Sequence, residues 1–309
     1  MTRLVGDHDF SVRTLLGERA GVFVRWAQEA EGFAHKRKVV HKLRTSARRL
    51  ESACKAAGPG LRRAHAKRVV ETVRTLRREA GAARDCDVIG KRLASGLAGI
   101  GHPAKSAAVG YLLARLGADR DAATERLTAL AGSCSERVRT LADDLVACEK
   151  KNAPNVGAIS GEGLRDAALR FATASERDLT DLELLHELRK DGKRLRYCVE
   201  VFEPILPPAL AREVLARMRD FQQRLGVIND RHVELLLVTG IAERADSAPV
   251  RAGLSMLGED LSRVLDREHA SFVRWWWDVG AAQQLLGCAH ELSVVRAMTG
   301  RGEGGAAVA

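Results

Sequence analysis

His41 is followed by Arg44, Arg48 and Arg49, and the same group returns later as His186, Arg189, Lys193 and Arg194. These side chains suit anions. Arg gives bidentate hydrogen bonds to phosphate oxygens, and Lys is a mobile point charge. A neutral His donates a hydrogen bond and adds charge as pH falls. At about 100° per residue, Arg37, Arg44, Arg48 and Lys55 lie within about 60° of His41, while Leu43, Ala47, Leu50 and Cys54 lie opposite. In the second set His186, Arg189 and Lys193 share one face with Tyr197 beside them, against Leu188, Leu195 and Val199. Arg49 and Arg194 fall on the flanks. The first of these cationic faces lacks the i, i+4 acids that make a charged face self-compensating. Such a row repels itself unless it is solvated or an anion lies against it.

The two sets are 145 residues apart. A second pair of segments, Gly81–Val88 and Gly226–Val233, matches at the same offset without a gap. Two matches at one offset indicate an internal duplication. They predict an all-α protein with two alike halves closed into a pseudo-two-fold pair. Asp85 and Asp230 recur at corresponding places and read as carboxylates that pair an Arg or His and hold its rotamer. Arg63, Lys67, Arg74, Arg77 and Arg78 add charge to the first half, whereas Gln222 and Gln223 stand at the counterparts of Arg77 and Arg78. The anion site is therefore expected to be lopsided.

Helix formers dominate, and apolar residues recur at three and four places. The pattern predicts helices near 9–32, 34–57, 61–80, 86–98, 104–117 and 119–149, then near 162–176, 180–203, 208–225, 229–244, 248–270 and 271–298. Pro and Gly clusters at 58–60, 99–103 and 204–208 punctuate them. Lys150–Gly163 is expected as a linker between halves spanning about 7–150 and 164–298, and residues 301–309 as a disordered tail.

Residues 35–92 carry 18 Lys and Arg against five Asp and Glu, a net +13 that exceeds the +10 of the whole 309-residue chain. So concentrated a field attracts polyanions. Apolar residues make up 46%, a globular balance, yet no run is long enough for a membrane span. The first ten residues, with Asp7 and Asp9, do not read as a secretory signal. Six scattered cysteines without a C-x-x-C pair read as reduced, buried thiols of a cytoplasmic protein, neither a disulfide scaffold nor a zinc finger.

Other constellations carry less. Asp85-Cys86-Asp87 and Asp230-Arg231-His232 have metal-ligand types, but the basic surroundings oppose a divalent cation, and no metal or other cofactor is expected. No H-E-x-x-H, P-loop or nucleophile elbow is present. Trp275-Trp276-Trp277 cannot share one helix face and reads as core packing of the last helix. Aromatic residues are 4% of the chain and, Tyr197 apart, do not interleave with the cations, which argues against single-stranded nucleic acid.

The doubled His-x-Leu-Arg-x-x-x-(Arg/Lys)-Arg-Leu pattern, with Arg84-Asp85-x-Asp87-Val88 and Leu225-Gly226-x-x-Asn229-Asp230, resembles the CHAD domain, the conserved-histidine α-helical domain. The resemblance runs from about Asp7 to Met298, a single CHAD domain over residues 1–300. It implies two four-helix bundles related by pseudo-two-fold symmetry around a basic cavity or groove. It implies binding of inorganic polyphosphate and association with polyphosphate granules, with His41, Arg44, Arg48, Arg49, His186, Arg189, Lys193 and Arg194 lining the site. Arg37, Lys55, Arg74, Arg78 and Tyr197 complete the candidate set, and no catalytic residue is expected. The alternatives are a phosphohydrolase or phospho-His relay using His41 or His186, and a nucleic-acid-binding scaffold.

Overall fold

In a computed structural model the described residues are 11–97, 101–152 and 156–294. They form ten α-helices: α1 (Val12–Phe33), α2 (Arg37–Ala56), α3 (Arg63–Leu97), α4 (Pro103–Ser133), α5 (Ser135–Ala147), α6 (Val156–Ser175), α7 (Leu182–Phe202), α8 (Pro208–Ala242), α9 (Ala248–Trp277) and α10 (Ala281–Val294). Short 3-10 turns at Gly58–Gly60 and Glu203–Ile205 follow α2 and α7. The starts of α2, α3 and α4 recur 145 residues later as the starts of α7, α8 and α9.

Local chemistry sets the ends. The Ser11 hydroxyl accepts from the Thr14 amide at the start of α1, and the Asp181 carboxylate accepts from the Glu183 and Leu184 amides at the start of α7. Pro103, Pro208 and Pro249 stand in first turns, where no amide donor is needed.

Three expectations need correction. The breaks expected at 81–85, 118 and 226–228 do not occur, because α3, α4 and α8 run through them. A glycine inside a long helix costs only about 1 kcal/mol, which packing along the remaining turns outweighs. The segment 271–298 is not one helix: Gly280, at φ 77°, turns the chain between α9 and α10. The Trp run therefore ends α9, the penultimate helix. Trp276 is fully buried, Trp275 packs against the core, and Trp277 is half exposed. Third, Val156–Gly163 of the expected linker forms the first two turns of α6. Among the described residues five helices precede Lys150 and five follow it. The predicted tail, 301–309, lies outside the described residues.

One core runs through all ten helices, from Leu15 and Phe23 of α1 to Leu285 and Leu292 of α10. A second core forms where the ends of α3 and α8 meet the starts of α4 and α9, around Leu93, Val109, Leu112, Val238 and Leu254. The halves touch through α2 on α7 and through α4 on α9. The α4–α9 crossing is close: a Cβ on Gly253 would lie 2.0 Å from the Ala104 carbonyl oxygen. All six cysteines are free thiols, five buried and Cys86 half-buried. No described helix is long and apolar enough to cross a membrane.

Candidate functional site

α2 buries Val39, Val40, Leu43, Ala47, Leu50 and Cys54, which leaves its cationic stripe on the other side. α7 does the same with Leu185, Leu188, Leu195 and Val199. Because α2 packs on α7, the two stripes meet across the halves. Lys193 shows it best. Burial, and then the charges of Arg189, Arg48, Arg44 and Arg196, push its ammonium down to about 7.

The surrounding groups report the same neighbourhood. Arg44 is lowered by burial and by Arg48, with Asp85 opposing and Arg77 and Arg84 adding to the repulsion. Arg189 is lowered by burial; Asp230 opposes, Arg48 and Arg44 repel, and Tyr197 stands close enough to matter. Arg44 reaches Asp85 at 3.7 Å. Among the described residues Arg48, Arg189 and Lys193 have no ion pair with a carboxylate, and the Arg189 Nε is buried without a hydrogen-bond partner.

The histidines edge the cluster. Burial lowers His41, and Arg84, Lys42 and Arg44 repel its proton. His186 is lowered by burial, Lys190 and Arg189, against Glu187 and a hydrogen bond with Asn229. Both imidazoles are thus biased to the neutral form, able to donate a hydrogen bond and ready to gain charge when an anion arrives. Asp85 and Asp230 approach each other closely enough that Asp230, after burial and against Arg44, helps to raise Asp85. Asp230 accepts from Arg92 of the opposite half at 3.1 Å. Asp85 is thus paired with Arg44, and Asp230 with Arg92.

Other expected site residues lie elsewhere. Arg37 turns to Asp87 at 2.9 Å, a carboxylate also held by Arg120 at 2.7 Å. Asp85 and Asp87, two places apart on a helix, thus point to different sides of α3, and the D-x-D pair does not converge. Arg49 is 3.8 Å from Glu200 and lines an open cleft of about 580 Å³ between α1, α2 and α7, with Trp26, Tyr197 and Ser52. Arg194 pairs with Asp191 at 3.2 Å. Lys55 sits among Arg194, Arg170, Asp166 and Asp191, a mixed-charge neighbourhood. Arg74 is engaged by Glu51 and Glu71, Arg77 by Glu51 at 2.8 Å, and Arg78 is exposed on α3. Tyr197 carries Arg196 over its ring at 4.9 Å.

Arg84, Arg92, Arg196 and Asn229 belong to the site although sequence reasoning did not assign them to it. Arg196 had a readable signal, since seven residues after Arg189 is two helical turns on the same face. Arg92 had none, because its partner Asp230 is 138 residues away.

The sequence profile of the CHAD domain matches residues 20–239, more than two thirds of the chain. The chain belongs to the CHAD family. A crystal structure of the CHAD domain from the plant Ricinus communis is similar at TM-score 0.64 and 20% identity, covering 96% of each chain. PptA from Streptomyces chartreusis is similar at TM-score 0.64 and 16% identity, covering 86% of this chain and 97% of its own. At those identities the likeness speaks for the CHAD fold alone. No curated protein matches the sequence significantly. The profile stops within α8, whereas the likeness to the plant CHAD domain covers nearly the whole chain.

Proposed function

We propose that this CHAD protein binds inorganic polyphosphate without cleaving it, in a basic trough between two duplicated, pseudo-two-fold-related halves. The observation that carries the reading is the meeting of Arg44 and Arg48 of α2 with Arg189 and Lys193 of α7. Among the described residues only Asp85 makes an ion pair with any of the four. Half-buried cations that crowd one another are held at a cost, and an anion that threads between them relieves it. Guanidinium forks take phosphate oxygens in pairs, and the neutral imidazoles of His41 and His186 donate one further bond each. A flexible chain of phosphates can follow a line of such groups, which a stiff duplex cannot do inside a recess.

Binding rather than cleavage is favoured by the carboxylates. Asp85 and Asp230 lie against arginines, and Asp87 is sealed under Arg37 and Arg120, so none is placed to activate a nucleophile. By the same reading the protein works in the cytoplasm on polyphosphate granules.

Competition binding tests the proposal. Long-chain polyphosphate is expected to bind with a steep salt dependence, and duplex DNA or RNA at equal charge concentration is expected not to displace it. Exchanging Arg44, Arg48, Arg189 and Lys193 for Ala is expected to abolish binding while the circular dichroism spectrum stays helical. Displacement by nucleic acid would establish a general polyanion binder, and unchanged affinity of the quadruple variant would remove the site.

A further inference from the structure

We infer that the cleft between α1, α2 and α7 is a nucleotide site, separate from the cation cluster, and that it takes a nucleoside di- or triphosphate. The inference does not depend on the polyphosphate reading.

The cleft has a volume of about 580 Å³, within the roughly 300–1,000 Å³ of small-molecule sites. Its walls are tied together by Arg19 of α1, which donates to the Leu15 carbonyl at 2.8 Å and across to the Glu200 carbonyl of α7 at 3.1 Å. Two half-buried aromatic rings line it, Trp26 from α1 and Tyr197 from α7. Flat rings stack on a base of any identity, because every base has a π-face.

The polar lining describes the rest of the ligand. Thr45 and Ser52 of α2 donate their hydroxyls to the carbonyls of His41 and Arg48. They therefore offer only lone pairs to the cleft and call for a ligand with N–H or O–H donors. Glu18, Glu200 and Glu203 make the same demand, against Arg19, Arg25, Lys42 and Arg49. Three carboxylates against four cations do not suit inorganic polyphosphate, which carries acceptors alone. They suit an anion that also has hydroxyl and amino groups, as a ribose and a base do.

Lys42 and Arg49 place the phosphates. They stand two turns apart on one flank of α2, about 10 Å along its axis. A chain of two or three phosphates lets both side chains engage without bending along the helix toward each other. Among the described residues Lys42 makes no ion pair, and Arg49 only a loose one, at 3.8 Å, with Glu200. Both lie about 100° or more around α2 from Arg44 and Arg48, so the phosphates sit apart from the cluster.

Equilibrium dialysis of the full-length protein against ATP and GTP tests the inference. At least one of them is expected to bind saturably, and its nucleoside, which lacks the phosphates, about tenfold more weakly or worse. Trp26→Ala should weaken nucleotide binding about tenfold, the worth of one lost base stack. Because Trp26 also packs against the core, a second variant joins Lys42→Ala and Arg49→Ala, both at exposed positions. It should also lose about tenfold while the circular dichroism spectrum stays helical. Exchanging Arg44, Arg48, Arg189 and Lys193 for Ala is expected to leave nucleotide affinity within about twofold. Binding of neither nucleotide overturns the inference. So does binding that the quadruple exchange abolishes and the Lys42 and Arg49 double variant leaves intact. Nucleotide binding without polyphosphate binding sinks the proposed function and leaves the cleft site. Polyphosphate binding without nucleotide binding does the reverse.

Discussion

Arg92 of α3 donates to Asp230 of α8 at 3.1 Å, so the carboxylate beside Arg189 is held by a cation from the opposite half. Arg92 also stands 3.7 Å from Glu234, a carboxylate only 2% exposed that accepts from Arg231 at 3.0 Å. The position matching Arg92 in the second half is Leu237, so the clamp crosses in one direction only. Arg92→Leu leaves Glu234 with Arg231 and frees Asp230 to pull on Arg189. The expected cost is about 1–3 kcal/mol, the range for hydrogen bonds to charged groups and below that for stripping a fully buried pair, because Asp230 is partly solvated. Urea denaturation measures it. Wild-type stability in this variant would mean that the clamp contributes nothing.

With polyphosphate bound as proposed, Lys193 is expected to make the affinity fall with rising pH. Its ammonium is disfavoured in the folded protein, about 7 against an ordinary 10.5. Below about pH 7 it is charged in both folded and unfolded chains, and its repulsion is fully present. Between there and 10.5 the unfolded chain holds the extra proton, so stability rises with pH across that window. A bound polyanion returns the proton. Binding at pH 8 should therefore take up protons, seen in calorimetry as a heat that depends on the buffer's protonation enthalpy. His41 and His186, both lowered, add uptake at the acidic end of neutrality. Lys193→Arg is expected to keep binding and lose most of the uptake at pH 8. An uptake equal to wild type would place the proton elsewhere.

Two glycines should respond in opposite directions to alanine. A Cβ on Gly192 of α7 would stand 2.3 Å from Cε1 of Phe221, a buried ring of α8. Overpacking of this kind costs typically 1–3 kcal/mol, and it also shifts the helix that carries Arg189 and Lys193. Gly81 of α3 has only the Arg44 Nε within reach, at 3.7 Å, an ordinary contact. Gly81→Ala should stabilise by roughly 0.5–1 kcal/mol through helix propensity. Paired melting curves decide it: Gly192→Ala lowers Tm and Gly81→Ala raises it.

Arg37 pairs with Asp87, away from the α2–α7 cluster. Asp87, 1% exposed at its side chain, is held by Arg37 and Arg120, and Arg120 also donates to the His35 carbonyl at 2.8 Å. Asp87→Ala strands a largely buried guanidinium and should cost on the order of 3 kcal/mol. Arg37→Ala should leave polyphosphate affinity within about twofold, while Arg48→Ala lowers the slope of log affinity against log salt by about 0.7–0.9. Equal losses from both variants would return Arg37 to the binding site.

The helical class and the family were legible because both depend on patterns within a few turns of one helix. Apolar residues at three and four places, a helix-capping Asp181 and prolines in first turns act locally. The 145-residue offset was equally plain, and the starts of α7, α8 and α9 follow those of α2, α3 and α4 by the same 145 residues. Helix ends were misjudged at Gly81 and Gly226, where tertiary packing outweighs a small local penalty.

The sequence by itself determined which residues share a helical face, and so named Arg44, Arg48, Arg189 and Lys193 together before any contact was known. Only the tertiary structure decided which of the other cations stand near them: Arg84, Arg196 and Arg92 lie close, the last two also paired with Glu200 and Asp230, while Arg37, Arg49, Arg74 and Arg194 turn to other carboxylates. A charge's neighbours depend on which helices cross and on which acids come within a few ångströms. That distance is set by the packing of the whole core, and no spacing along one helix encodes it.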